Sequence, residues 1–237
     1  MRWQIIFLIL SVLSFEGYGQ SFQSLLDSAV TSKERSILYF GEAQKKIQTA
    51  DDSLNFLFAK TNRSYRDKRQ DSTLYYGKRF LRHAGIDQVP EQCFLICRWI
   101  SRTYIDLGVY EESLSFSQQG LEWAKKANDI NGVAYQLADI AIIYHEFKDF
   151  DKGVAYGKIC FNTAVEGGAD SMHKAICLNA IAINFDDWNK PDSALFYHFK
   201  IFELDPVPDS IDIKFTFNNI GNTLMKMQQY VQAEQYL

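Results

Sequence analysis

A phrase of four residues recurs along this chain of 237 residues at a nearly constant interval. Every copy has Leu or Val first and Phe or Tyr third, and most copies end in Gly or Ser. The copies begin at residues 38, 74, 114, 154 and 195, so that the steps between them are 36, 40, 40 and 41 residues. A period of this size is typical of a solenoid, in which each repeat is one supersecondary unit that packs against its neighbours. The sequence therefore predicts a repeat protein with a binding role.

Each repeat contains two helical patterns separated by turn signals. On the first helix, large apolar residues three and four positions apart surround one small residue, and the second helix carries another small residue. The small residues on the first helices are Ser101, Ala141, Ala182 and Gly221, and those on the second helices are Ser113, Gly153, Ala194 and Ala233. Such pairs let two helices approach closely. The large residues that fill the remaining space are Tyr104, Tyr144, Phe185 and Leu224. We expect an all-α fold, an α-solenoid of antiparallel helix pairs, with the recurring phrase in the core of each second helix.

This arrangement resembles the tetratricopeptide repeat (TPR), whose pattern is W-x2-L-G-x2-Y, then A-x3-F and then P. The resemblance is clear over residues 94–237 and weak over residues 54–93. No Trp occupies the first aromatic position, and the period exceeds the family's 34 residues or so. The longer period is similar to that of the TPR arrays that bacterial sensor kinases and regulators carry outside the membrane. The resemblance implies a right-handed superhelix with a concave groove lined by the first helices.

The first 19 residues have the composition of a secretory signal peptide. Arg2 provides a positive start, Ile5–Phe15 is apolar, and small residues follow at a plausible cleavage site. An apolar stretch of about 11 residues is too short to span a bilayer, which takes about 20. An uncleaved N-terminal anchor is the alternative. We expect the mature chain to be exported, periplasmic or extracellular, and not to span a membrane.

The domain organisation follows from these patterns. We expect a signal peptide over residues 1–19, degenerate N-terminal TPR-like helices over residues 20–93 and TPR-like repeats over residues 94–237. The repeats cover about 94–133, 134–174, 175–213 and an incomplete 214–237.

The degenerate segment departs from the repeat pattern in two places. Lys60 and Thr61 occupy positions that are tightly packed in the other repeats. Residues 21–49 are predicted to hold two helices, and the capping-box pattern Thr31-x-x-Glu34 is predicted to open the second of them.

The chain lacks the usual signatures of catalysis. It has no Gly-rich phosphate loop, nucleophile elbow or zinc-protease motif, and its four histidines, His83, His145, His173 and His198, are widely spaced along the chain. Its net charge of −4, with both signs mixed, does not suit a nucleic-acid backbone. We therefore expect no enzymatic activity, no cofactor, no metal and no nucleic-acid partner.

Four cysteines are too few to build a disulfide scaffold. Cys97 occupies a large apolar position one turn after Cys93, so buried thiols are expected there. Cys160 and Cys177 fall on helices that should pack together, and both a bridge and free buried thiols remain open.

If the first helices line a groove, their outward positions can be assigned by register. The polar and aromatic residues at these positions are Asn62, Arg66, Arg98, Arg102, Tyr135, His145, Asn179, Asn218 and Asn222. An Asn amide both donates and accepts, which suits an extended peptide backbone, and two Arg one turn apart can share a carboxylate. The apolar centre of the groove is predicted at Ala138, Ile142 and Ile183, with Phe58 and Met225 towards its ends.

Two functional hypotheses follow. In the first, the chain is a non-enzymatic protein–protein interaction module that binds a protein or peptide segment in its groove, including as the sensing part of a signalling protein. In the second, it is a structural scaffold for envelope assembly. The chain stops at Tyr236–Leu237, inside a second helix with no polar capping helix after it, which would let it associate through an apolar C-terminal end. A fragment of a longer protein would have the same appearance.

Overall fold

The computed structural model describes residues 20–208 and 210–237. The expected signal peptide over residues 1–19 lies outside the described residues. The chain divides into two compact units, of which the first ends at Gln92 and the second begins at Cys93. Within the described ranges, every helix is too short or too polar to cross a bilayer.

The first unit is helical. Its α-helices are α1 (Phe22–Thr31), α2 (Ser36–Lys45), α3 (Ala50–Arg66) and α4 (Gln70–Leu81), followed by a short 3-10 helix, Ile86–Gln88. Helix α5 (Pro90–Asp106) begins in this unit and continues into the second. Its Pro90 suits a first helical position, where the missing N–H costs nothing.

The second unit continues the alternation of first and second helices. Its elements are α6 (Tyr110–Lys126), α7 (Ile130–Glu146), α8 (Phe150–Glu166), α9 (Ser171–Asp187), α10 (Pro191–Lys200), a 3-10 turn at Ile201–Glu203, α11 (Ser210–Lys226) and α12 (Tyr230–Ala233). Consecutive helices pack against one another, and the described ranges contain no strand. The predicted all-α architecture of paired helices is confirmed.

The predicted pairs of small residues lie at the helix contacts. All eight are buried, and Ser101 and Ser113 share a hydrogen bond between their hydroxyls at 2.8 Å. Gly153 leaves room for the next first helix, because a Cβ there would collide with the side chain of Asn184 on α9. Asn184 in turn donates to the Ala141 carbonyl at 3.2 Å, so that one contact ties α7, α8 and α9 together.

In the second unit, the recurring phrase packs by aromatic stacking between the two helices of a repeat. The aromatic residue in its third position lies against the large residue of the preceding first helix, and the two rings are nearly parallel. The ring pairs are Tyr104–Phe116 at 5.9 Å, Tyr144–Tyr156 at 5.2 Å and Phe185–Tyr197 at 5.6 Å. The copy on α2 differs, because Leu38 is 54% exposed and Gly41 has nothing near its Cβ position.

One turn geometry joins most of the helices. At each such turn a residue takes a left-handed conformation, and the next residue donates its N–H to a carbonyl five positions back, which is the Schellman cap. The left-handed residues are Lys68, Gly108, Asn128, Lys148, Gly168, Asn189 and Gln228. The corresponding bonds are Arg69 to Ser64, Val109 to Tyr104, Asp129 to Ala124, Asp149 to Tyr144, Ala169 to Ala164, Lys190 to Phe185 and Gln229 to Leu224.

Polar side chains of the second unit pair with partners about one period away. These cross-repeat pairs connect neighbouring first helices or the helix ends beside them. They include Arg98–Asp139, Tyr110–Glu146, Asn131–Asp170, His145–Asp187, Asn179–Asn219 and Lys226–Asp187, with sequence separations from 36 to 42 residues.

The predicted capping box at Thr31 and Glu34 is wrong. Thr31 ends α1, and its hydroxyl donates to the Asp27 carbonyl at 2.8 Å, whereas α2 begins after Arg35 without a side-chain cap. A capping box opens α3 instead. There Thr49 and Asp52 each accept the other's backbone N–H at 3.0 Å.

The cysteines fall into two pairs. Cys160 on α8 and Cys177 on α9 form a disulfide with their Cα atoms 5.4 Å apart, so the bridge joins neighbouring repeats. Cys93 and Cys97 are fully buried thiols on α5. Burial, together with the neighbouring Cys93, raises the pKa of Cys97 to about 12, which makes it an inert core residue.

Candidate functional site

A cavity of about 330 Å³ opens on the first helices of the second unit. Helices α5, α7, α9 and α11 contribute to it, together with residues that follow α10. Its walls include Arg98, Arg102, Tyr135, Ile142, Asn179 and Ile183, all of which the sequence placed in the groove. The register of the first helices therefore brings four of the nine candidate site residues into one cavity.

The two arginines of the cavity share a carboxylate that belongs to the chain itself. Asp139 on α7 is fully buried and accepts from Arg98 Nε at 3.2 Å and from Arg102 Nη2 at 2.5 Å. A buried carboxylate needs such partners, because an unpaired charge in the interior is strongly unfavourable. Two guanidinium groups around one carboxylate leave a net charge of +1 at this wall of the cavity.

Tyr135 is held between two neighbours. The Arg98 guanidinium carbon lies 3.9 Å from the centroid of its ring, and the His173 ring meets it edge-on at 4.4 Å. His173 is fixed in turn by Asp170, which caps α9 and lies 2.6 Å from His173 Nδ1. Burial raises the pKa of Asp170, but the hydrogen bonds from His173 outweigh it, so that this pKa is lowered. The carboxylate thus stays charged and anchors the aromatic wall.

The other residues that line the cavity are mostly apolar. Ile142, Ile176 and Ile183 are among them, and the side chain of Phe215 is 68% exposed. The Asn179 oxygen accepts from Asn219 Nδ2 at 3.0 Å, which leaves the Asn179 NH2 group as a polar donor in this lining. The cavity can therefore take an apolar side chain beside a group that bonds to an amide or carries negative charge.

Three predicted groove residues of this unit lie elsewhere. His145 Nε2 is 2.8 Å from Asp187, whose other oxygen accepts from Lys226 Nζ at 3.0 Å. Burial raises the pKa of Asp187, but the hydrogen bonds from Lys226 and His145 prevail and lower it. Asn218 and Asn222 are exposed on α11 and do not line the cavity. Ala138, expected at the apolar centre, is fully buried in the core.

The first unit has a cavity of its own beside α1 and α3, of about 410 Å³. Asn62 and Phe58 line it, together with Gln23 and Asp27 of α1. Arg66 is exposed, and its Nη1 lies 3.5 Å from the Val30 carbonyl. Arg63, one turn earlier, binds the Val30 and Ser32 carbonyls at 3.1 and 2.6 Å and so closes the end of α1.

Asp139 was not among the predicted site residues, although the sequence contained a signal for it. It is the one charged residue in the apolar run Ala138–Tyr144, and it follows the arginine pair by about one period. A charged residue about one period after the arginines lies at the corresponding level of the next first helix, where it can meet them. Met172, Phe215 and Thr216 also line the cavity, and no signal in the repeat pattern selects them.

Comparison with known proteins identifies the class of fold. No protein-family model and no curated protein sequence matches the chain. Solved structures do match. RapI in its apo form is 16% identical with a TM-score of 0.66, over 91% of this chain and 94% of that one. NprR in complex with its cognate peptide NprX is 13% identical with a TM-score of 0.66, over 99% of this chain and 72% of that one.

A third similar structure is a signal transduction ATPase with a tetratricopeptide repeat sensor from Pyrococcus horikoshii. It is 13% identical with a TM-score of 0.72, over 96% of this chain and 38% of that one. Sequence identities this low support a conclusion about the fold alone. The chain has the fold of a TPR-like helical repeat protein, as its sequence predicts.

Proposed function

We propose that this chain is a non-enzymatic interaction module that binds a peptide or protein segment in the cavity of its second unit. The observation that carries the proposal is the composition of that cavity, which combines the Asp139-bound arginines with a mostly apolar lining. A peptide can place an apolar side chain against Ile142 and Ile183, bond its backbone to Asn179 and present a carboxylate to the arginines. The similar fold of NprR, which was crystallised with its peptide NprX, supports this mode of binding.

The test avoids the arginines, because their loss would expose the buried Asp139 charge. A displayed library of random decapeptides is selected on the wild-type chain, and the affinity of enriched peptides is measured by calorimetry. The double variant Met172→Ala/Phe215→Ala trims exposed side chains at the cavity and should weaken binding about tenfold or more. Ile159→Ala/Val165→Ala removes similarly exposed apolar groups from α8 and should bind as the wild type does. Equal affinity of all three proteins would place the site elsewhere.

We further propose that the mature chain is exported and that it serves as the sensing part of a signalling protein. The signal-like segment at residues 1–19 supports export, and so does the Cys160–Cys177 disulfide, since such bridges persist mainly in oxidising compartments. Expression of the full chain and of a form lacking residues 1–19 in a bacterial host tests export. The full chain should be recovered from the periplasm, shortened and oxidised. Recovery of both forms from the cytoplasm would contradict export.

A second candidate function is assembly through the α12 region. Tyr230 and Val231 are 59% and 79% exposed there, while Ala233 is buried against α11. Association would bury these side chains, and polar substitution of Tyr230 and Val231 should abolish it. Light scattering over a range of concentrations decides this, and a constant molecular mass for the wild type would rule out self-association.

A further inference from the structure

One core position of the repeat carries a charge in the first unit. The position before the small residue is Ile100, Ile140, Ile181 or Ile220 in the second unit, and each of these is buried. On α3 the same position is Lys60. The large residue four positions later is replaced as well, because Ser64 stands where Tyr104, Tyr144 and Phe185 stand in the other repeats.

These two replacements change what surrounds the position. In the second unit the third residue of the phrase stacks on the large residue of the first helix, but Ser64 offers Tyr76 no ring to stack on. The Lys60 ammonium group instead lies among three rings. Its Nζ is 4.2 Å from the ring centroid of Phe40, 5.5 Å from that of Phe56 and 5.6 Å from that of Tyr76. Cation–π attraction of this kind stabilises the charged form in a partly desolvated place.

A cavity of about 410 Å³ lies beside this ammonium group, separate from the one that Asn62 lines. Hydrogen-bond donors line it from three helices and the segment after α4. They are Gln44, Ser53, Lys60, Tyr75, Tyr76, Arg79 and His83. His83 Nδ1 accepts from the Gly85 N–H at 3.3 Å, which leaves the proton on Nε2 in the neutral ring. Of the described residues, no Asp or Glu lines this cavity.

The positive charges of the cavity lack an acidic partner among the described side chains. None of the carboxylates that the structure describes lies within ion-pair distance of Lys60 or Arg79, and Arg79 Nη1 donates to the Tyr75 hydroxyl at 3.0 Å. Burial, with the Arg69 charge second, lowers the pKa of Lys60. A charged group in a core position without a counter-ion costs stability, and an anion in the cavity would relieve that cost.

We propose that the Lys60 cavity binds a tetrahedral oxyanion group with two negative charges, of the phosphate type. Lys60 and Arg79 supply two positive charges, and the His83 ring, the tyrosine hydroxyls and Ser53 supply further donors for its several oxygen atoms. A phosphate group carries between one and two charges near neutral pH, which matches this set. The aromatic rings and Ile47 leave room for an organic group attached to the anion, so both inorganic phosphate and a phosphate monoester fit the cavity.

Calorimetric titration at constant ionic strength tests the site with inorganic phosphate, phenyl phosphate and acetate as probes. Inorganic phosphate should bind the wild-type chain, and acetate should bind at least about tenfold more weakly because it carries one charge. Tighter binding of phenyl phosphate would identify the source as a phosphate ester, and equal or weaker binding would identify it as free phosphate. Lys60→Ile installs the residue of the other repeats and should weaken phosphate binding roughly tenfold or more.

Two further variants keep the result interpretable. Lys158→Ile makes the same change at an exposed position of α8 and should leave phosphate binding intact. Arg79→Gln alters an exposed side chain of the cavity, so it tests the site even if the Lys60 variant does not fold. The proposal is overturned if phosphate does not bind the wild type, if acetate binds as tightly as phosphate, or if Arg79→Gln and every folded Lys60 variant bind like the wild type. None of these outcomes depends on peptide binding in the second unit.

Discussion

Asp139 is the residue on which the geometry of the candidate groove most depends. Replacing it with Ala leaves Arg98 and Arg102 facing each other without their common carboxylate, and breaking a buried pair in this way costs about 3–5 kcal/mol. Urea unfolding followed by tryptophan fluorescence measures the loss in the second unit, where Trp99, Trp123 and Trp188 all lie. Asp151→Ala, at an exposed position of α8, should change stability by less than about 0.5 kcal/mol. Equal effects of the two substitutions would mean that the arginine cluster does not stabilise the fold.

His198 makes the second unit sensitive to acid. It occupies the last position of the recurring phrase, is almost fully buried, and its Nδ1 has no hydrogen-bond partner among the described residues. Burial lowers the pKa of His198 to about 4, against a weaker opposite effect of Asp186. Between the folded and the unfolded pKa, His198 binds a proton in the unfolded chain but not in the folded one. The stability linked to this difference is therefore complete above the unfolded pKa of about 6.5 and is lost as the pH falls towards 4.

The expected loss is roughly 3 kcal/mol between pH 7 and pH 4. His198→Gln removes the titrating group, so its unfolding free energy should fall less over this pH range than that of the wild type. Urea midpoints for both proteins at several pH values measure the difference. Parallel pH profiles of the two proteins would contradict the prediction, because they would mean that His198 binds its proton as readily in the folded chain as in the unfolded one.

At the scale of elements, the repeated Schellman turn sets where most of the helices end. Only Gly108 and Gly168 fit the left-handed conformation without strain, while Lys68, Lys148 and Gln228 adopt it at a cost. Lys148→Gly should therefore stabilise the second unit by about 0.5–1 kcal/mol, and Gly108→Lys should destabilise it by a similar amount. Gly108 has open space around its Cβ position, so the second change tests backbone conformation without a steric clash. Thermal unfolding of both variants measures the two changes in unfolding temperature. Changes in the same direction for both variants would contradict the prediction.

At the scale of the whole molecule, the Cys160–Cys177 bridge is a covalent link between two repeats that otherwise meet through packing and non-covalent polar contacts. It closes a loop of 17 residues, for which chain entropy predicts a stabilisation of about 3 kcal/mol. The oxidised protein should weigh two hydrogens less than the fully reduced one, and a reductant should lower its unfolding temperature. Cys160→Ala/Cys177→Ala should unfold at the same temperature with and without the reductant. An oxidised mass equal to that of four free thiols would contradict the bridge.

The sequence predicts the scaffold better than the site. Helix pairing follows from the spacing of Ser101, Ala141 and Ala182, because a small residue is needed wherever two helix axes approach and that need repeats with the period. The site residues do not repeat. Arg98 and Asn179 were assigned to the cavity by register, but the partner of Arg98 is a residue on another helix, and Lys60 departs from the pattern. Such contacts depend on the relative positions of helices, which no single helix pattern contains.

The cross-repeat pairs of the second unit have a mechanical consequence. Each of them reaches only to the neighbouring repeat, so a force applied to the two ends of this unit would break them in succession, one helix pair after another. The Cys160–Cys177 bridge interrupts that series, since the two cysteines stay together under force and the chain between them cannot be extended while the bridge is intact. A single-molecule pulling record of the oxidised chain should therefore release less chain length on complete unfolding than that of the reduced chain, by about the extended length of the 17 residues that the bridge closes off.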